Sequence, residues 1–320
     1  MREVACHEVG EERTAQALDG IGGRARGRWH SMRYDGPSLG QLRRMRDELL
    51  DHVAARAGED PALDESSQAV LRTAAECSLG VLSAGCFPDG DQEIPFPLIG
   101  ETLSTDEVSF ADAVEEAPTA RTWLDAFALC VVSGAVWEWK RVIGLLLRGD
   151  YAPAIRDGVP YSKLTSASAP ADLAAMDALC GYLTEERGHL PRDWPTVTLR
   201  KPDAGERAEA ARRLDAVGSL SPDQRLLRVL LDDDPSAFEQ ALAARLVEHR
   251  QSVSSAEPDP APRTLLPLDA LALAALAVQV HGWEPAVRSG YLPLGLLGSP
   301  DALRRAAAGE GNNLGLWGAK

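Results

Sequence analysis

The chain predicts an all-α fold, an irregular bundle or array of antiparallel helix pairs. Apolar residues recur at three- and four-residue spacings along most of its length. Ser, Thr or Asp stands ahead of several of these runs, where a helix cap belongs. Strand and helix patterns do not alternate, which argues against a doubly wound parallel sheet. A single helical domain over residues 1–320 is expected, with 150–170 as the place where it would divide.

Taken in order, Gly20-Ile21-Gly22-Gly23 lacks a preceding apolar strand and runs into Arg24 and Arg26, so it reads as a flexible N-terminal connection and not as a phosphate-binding loop. Ser38 caps a helix reaching Arg56, whose stripe is Leu39, Leu42, Met45, Leu49, Leu50 and Val53. Asp64 opens the next, striped by Val70, Leu71, Ala74, Cys77, Val81 and Leu82, and it should end near Gly85. Pro88, Pro95 and Pro97 break the pattern over 88–103, leaving either a short hairpin arm at Glu93–Ile99 or an irregular loop. Ser104 with Glu107 three residues on reads as a capping box opening a short acidic helix to about Glu116.

Thr122–Val136 reads as a buried helix, and Trp137–Arg148 either continues it or turns back at Gly134. A polar stretch with Pro153, Gly158, Pro160 and Pro170 follows. Helices are expected at Ala171–Glu186, Asp203–Val217, Pro222–Leu231, Pro235–Arg250, Leu268–Val280 and Ala302–Ala308. The proline-rich run Gln251–Pro262 should be a surface loop or flexible linker, closing by residue 263. No repeat of fixed period emerges, so a regular tetratricopeptide array is not supported.

Charge is the feature that points outward. Between Arg72 and Arg121 there is no lysine, arginine or histidine, but ten acidic residues: Glu76, Asp89, Asp91, Glu93, Glu101, Asp106, Glu107, Asp112, Glu115 and Glu116. They supply −10 of a formal net charge of −15. Arg24, Arg26, Arg28, Arg33, Arg43, Arg44 and Arg46 lie in a window whose only acid is Asp35. Such segregation makes a field that steers an oppositely charged partner. The plain alternative is an ordinary solvated acidic face. The acidic total argues against nucleic acid as a direct ligand, since phosphate binding needs a basic footprint.

Catalytic and metal motifs were weighed in turn. Asp232-Asp233-Asp234 invites a Mg²⁺ site like the aspartate-rich motif of all-α terpene synthases. Here, however, it ends a helix and precedes Pro235, and aromatics are only 5% of residues, too few for the pocket such a motif serves. A solvated turn that favours the start of the following helix is the better reading. The six histidines form no H-E-x-x-H pattern, and neither a G-x-S-x-G elbow nor a phosphate-binding G-x-x-x-x-G-K-[ST] loop is present. Neither metal, cofactor nor catalytic residues are expected. Trp123 sits on a core stripe, while Trp137 and Trp139 cannot both face inward, which leaves one as an interface anchor or as a residue half-covered by a neighbouring helix.

Five cysteines in no paired spacing suit a reducing compartment. The N-terminus lacks an apolar signal core, and the apolar run Leu265–Val280 is broken by Pro267, Asp269 and Gln279, short of the about 20 residues a span needs. A cytoplasmic protein without a membrane partner is expected.

Two patches carry a family resemblance. One is Thr122-Trp123-Leu124-Asp125-Ala126-Phe127 with its continuation to Leu147. The other is Leu265-Leu266-Pro267-Leu268, through Leu271-Ala272 and Gly282-Trp283, to Ser289-Gly290-Tyr291-Leu292-Pro293. With these the chain resembles the bacterial immunity protein 49 family, proteins that protect producers of polymorphic toxins. The resemblance implies an all-α, non-enzymatic protein encoded beside the toxin it neutralises. The expected partner is a cognate toxin domain, basic and nuclease-like, its active site covered by this chain. The acidic docking residues are read from charge and not from the family: Asp89, Asp91, Glu93, Asp106, Glu107, Glu115 and Glu116. The other class considered is a non-enzymatic helical scaffold binding a cellular protein or peptide.

Overall fold

The computed structural model describes residues 2–105, 107–110, 114–138, 142–159, 164–184, 199–284 and 286–298. The chain opens with strand β1 (Arg2–Val4), then helices α1 (Glu11–Leu18), α2 (Ile21–Tyr34), α3 (Leu39–Glu59) and α4 (Glu65–Cys86). Ser38 and Asp64 cap α3 and α4 as their positions predict, their side chains accepting from the backbone N–H of Gln41 and Ser67. The glycine run 20–23 is not a flexible connection. Gly20 takes the left-handed conformation at the start of α2, and the helix runs through the other two glycines because Ala25, Trp29 and Met32 bury one face on its neighbours.

α4 is buried on nearly every side, and its small residues let other elements approach its backbone. The 88–103 segment is the hairpin, not the irregular loop: β2 (Glu93–Phe96) pairs antiparallel with β3 (Glu101–Ser104), Ile94 opposite Leu103. Ile94, Phe96 and Leu103 point into the core. A Cβ on Gly80 would lie 2.7 Å from Ile94 Cδ1, so the hairpin sits directly on the helix backbone. At the hairpin's turn the Thr73 hydroxyl accepts from the Leu98 N–H at 2.9 Å and donates to Ala69 O at 2.8 Å.

Among the described residues the short acidic helix expected from Ser104 does not form. Ser104 ends β3, its carbonyl accepts from Glu107 and Val108 in a tight turn, and the remaining described residues to 119 are turns and extended chain. Phe110 and Val114 are buried while Glu115 and Glu116 after them are exposed.

α5 (Ala120–Val132) lies between α4 and the later helix at Leu268–Gln279 and carries Trp123, fully buried, with its indole N–H on Leu147 O at 2.9 Å. Gly134, at φ 76°, makes the left-handed turn that ends this helix region. After a short 3₁₀ turn at Ala135–Trp137, α6 (Ile143–Leu146) passes through a wider π turn, Leu147–Tyr151, into α7 (Ala152–Asp157). Pro153 thus belongs to a helix. It has no N–H for the carbonyl four residues back, and the wide turn carries the helix past it.

α8 (Pro170–Cys180) is shorter than expected and is followed by a turn and a single bridge, Leu183 to Leu199. α9 (Ala204–Ala216) and α10 (Pro222–Leu231) follow, both with capping boxes, then α11 (Pro235–Ala256). α11 absorbs half of the expected loop at 251–263, since no proline stands before Pro258. The remainder is pinned: Asp259 takes the Gly10 N–H and Arg13, and Asp51 takes the Arg263 guanidinium at 2.8 Å. α12 (Leu268–Gln279) is buried almost throughout. β4 (Val287–Ser289) pairs in parallel with β1, and α13 (Leu294–Leu297) closes the described chain. One contiguous hydrophobic core runs from Val4 to Leu297. Trp137 is half-covered, its indole N–H on Gln279 Oε1 at 2.6 Å; Trp139 and the expected helix Ala302–Ala308 lie outside the described residues.

The contact at Gly80 yields a direct expectation. Gly80→Val should wedge the hairpin off α4 and cost about 2 kcal/mol or more. Urea denaturation would measure it, and faster proteolytic cutting between residues 88 and 105 should accompany it.

Candidate partner-binding surface

The acidic surface is organised by the base of the β2–β3 hairpin. Thr105 seals that base: its hydroxyl donates to Gly90 O at 2.7 Å and accepts from the Gln92 N–H at 2.8 Å, while its own N–H reaches Gln92 O at 3.0 Å. Gln92 also donates its side-chain amide to Ser83 O and Phe87 O, fastening the loop to the last turn of α4. Asp89, Asp91 and Glu93 on the incoming arm are therefore held beside Glu107 on the outgoing one.

All four are exposed, as are Glu115 and Glu116. The chain bearing these last two returns to the same end of α4, where Pro118 packs 3.2 Å from the Cβ position of Gly85. Asp106 and Asp112 lie outside the described residues. Glu76 is not on this surface, being 5% exposed within α4. Glu107 is already engaged: Arg33 of α2 donates to it from its two terminal nitrogens, Nη1 and Nη2, at 2.6 and 3.0 Å. That base comes from outside the acidic segment, so scanning 73–120 alone could not find it. Among the described residues no cation pairs with Asp89, Asp91, Glu93, Glu115 or Glu116.

Two clusters of titratable groups went unnoticed in the sequence. Asp233 is no solvated turn residue. Its backbone is left-handed, φ 61°, between Asp232, which ends α10, and Asp234, which caps α11. Its carboxylate accepts from Lys201 Nζ at 2.8 Å, Arg207 at 3.0 Å and His281 Nδ1 at 2.8 Å. Burial opposes that charge, but the hydrogen bonds from Lys201 and His281 hold the carboxyl below its ordinary range. Burial pushes His281 down to about 4, so the ring is neutral near pH 7. Its Nδ1–H then donates to Asp233, and Nε2 accepts from the Tyr182 hydroxyl at 3.0 Å.

The other cluster joins the chain's beginning to its end. Thr264 Oγ1 donates to Ala261 O at 2.7 Å and so accepts from His7 Nε2 at 2.8 Å. His7 Nδ1 is left as acceptor for the Tyr291 hydroxyl at 2.7 Å, which in turn accepts the His7 N–H at 2.9 Å. His249 donates to Thr264 O at 2.7 Å and sets its ring edge-on to Tyr291. Burial lowers the pKa of both His7 and His249. The hydrogen bonds of the two clusters clamp distant segments together. Among the described residues no group of three His, Cys, Asp or Glu side chains could hold a metal ion, and no helix is long and apolar enough to cross a membrane.

A mostly helical body with exposed carboxylates near the base of its hairpin is thus what the described residues present. Comparison with known families matches residues 60–296 to immunity protein 49, and the chain belongs to that family. No curated protein and no solved structure matched. The matched span takes in α4, the hairpin and the acidic segment, while α1–α3 precede it.

A pH dependence follows from the histidines. Their folded pKa values lie below the ordinary 6.5, so their stabilising contribution is full above about 6.5 and drains as pH falls and the unfolded chain takes up protons. From about pH 7 to about pH 5, His281 alone should remove about 2 kcal/mol. Urea midpoints should drop over that range. His281→Asn, which keeps a donor toward Asp233 without a proton to accept, should shrink the drop.

Proposed function

We propose that this protein is an immunity protein that binds a cognate toxin domain and covers its active site, docking through the carboxylates at the hairpin base. Membership of the immunity protein 49 family is the observation that carries the reading. The grouping of Asp89, Asp91 and Glu93 beside Glu107, with Glu115 and Glu116 on chain returning to the same end of α4, supports the choice of surface. The partner that fits is a basic toxin domain, such as a nuclease whose own substrate is polyanionic. The role is non-enzymatic and needs no cofactor.

Physically, a rigid acidic surface raises the rate of encounter with a cationic active site, and steering of this kind is worth about 10- to 1000-fold. Rigidity matters as much. The hairpin is tied to α4 by Ile94, Thr73 and Gln92, so the carboxylates lose little freedom when they dock. Once seated, they occupy the positions that the substrate's phosphates would take against the toxin's cations.

Reversing Asp89, Asp91, Glu93, Glu115 and Glu116 to lysine should slow association with the toxin encoded by the neighbouring gene by about tenfold or more at low ionic strength, and flatten its salt dependence. Stopped-flow association measured against salt reads this out. An association rate indifferent to both reversal and salt would reject this docking surface.

A further inference from the structure

α2 divides its circumference three ways. Ala25, Trp29 and Met32 are buried. Arg24, Gly27, Arg28 and Ser31, which share one side of the helix, look across an open cleft of about 490 Å³ to Gln41, Arg44 and Glu48 of α3. Beside that cleft Arg26, His30 and Tyr34 form an exposed row at four-residue spacing. Tyr34 is 64% exposed, unusual for a large side chain in this molecule. The His30 and Tyr34 rings lie 4.5 Å apart, and the Arg33 guanidinium stands 5.8 Å from the Tyr34 ring. Gly27 joins the two faces: a Cβ there would meet nothing within 4 Å, so bare backbone floors the passage between them.

The charge of this face is mainly positive, with Glu48 as the acid that lines its cleft. Some of its arginines are occupied. Arg24 donates to the last carbonyls of α1, including Ala17 O at 3.0 Å. Arg28 is held by Glu48, and Arg33 by Glu107. Arg43 and Arg44 on α3 and Arg26 on α2 are exposed, and among the described residues no carboxylate pairs with them. Mutual repulsion among them goes unrelieved, in a chain of net charge −15 that could have placed acids there. Exposed tyrosine next to arginine is also the composition of an interface centre.

We propose that the α2–α3 face is a second docking surface, whose cleft takes an acidic polypeptide segment. Arg44, which lines the cleft, and Arg26 and Arg43, exposed on the same two helices outside it, meet its carboxylates, and the His30–Tyr34 pair stacks on its side chains. Fork-shaped guanidinium groups suit carboxylates bidentately. A long nucleic acid fits poorly, because Arg33–Glu107 and the Trp29 indole bond to Thr102 O set the acidic hairpin directly alongside. A duplex carrying one charge per about 1.7 Å would run onto those carboxylates. A short peptide segment stays within the cleft. This inference stands apart from the toxin-docking reading, which concerns the surface of opposite sign.

The test uses the full chain and a fluorescein-labelled deca-glutamate peptide, followed by anisotropy, with a single-stranded deoxyoligonucleotide of equal length in parallel. Saturable peptide binding is expected at low ionic strength. The triple reversal Arg26→Glu, Arg43→Glu, Arg44→Glu should weaken it by about tenfold or more. Gly27→Trp, which fills the cleft without changing charge, should weaken it as well. The three single reversals, all at exposed positions, give graded losses that keep the test valid if the triple variant unfolds. No saturable peptide binding, binding indifferent to these variants, or tighter binding of the oligonucleotide than of the peptide would overturn the proposal.

Discussion

Ile94 lies where a side chain on Gly80 would otherwise be, and Pro118 does the same over Gly85. These two contacts bring a hairpin and a returning strand of chain down onto the backbone of α4. Close approach multiplies dispersion contacts that are individually small, and it leaves no gap for water. Because α4 is also covered by α3 and α5, it becomes a helix buried on nearly all sides. α5 passes the burial on to α12, whose alanine- and leucine-rich surface is likewise covered. The rest of the fold is arranged around this stack, and bulkier residues in α4 would have held its layers apart.

Electrostatic organisation is a consequence of that packing. Docking on α4 fixes the base of the hairpin, and with it the separation of its carboxylates. Packing of α2 against the same hairpin, through Trp29 and Thr102, sets the arginine-rich helix at its border. Arg33 and Glu107 join the two regions. An ion pair this exposed contributes little to stability. Its importance is positional, since it neutralises one charge of each sign where the regions touch and leaves the outlying charges facing solvent. A molecule of large net negative charge therefore exposes carboxylates on one side of this ion pair and arginines on the other.

Much of the local structure was legible in the residues. Ser38 and Asp64 cap their helices as their spacing to the following apolar stripe implies. Failures came where a local signal met a longer-range constraint. Ser104 and Glu107 have the spacing of a capping box, but pairing of Ser104 with Glu93 draws that serine into a strand. Gly22 and Gly23 disfavour a helix, yet burial of Trp29 and Met32 outweighs about 1 kcal/mol per glycine. Pro153 looks like a breaker, and a wide turn lets the helix continue past it.

Sequence alone determined which of the strongly periodic segments are helices, where several of them begin, and that charge is segregated along the chain, because each of these depends on residues within a few positions of one another. Tertiary structure decided which charges share a surface and which are spent. Asp233 and His281 are 48 residues apart, Tyr182 and His281 99, and His7 and Tyr291 284, so no spacing rule could pair them. Arg33 and Glu107 meet for the same reason: a folded core brings together what chain distance keeps apart, and only there does a side chain acquire its partner.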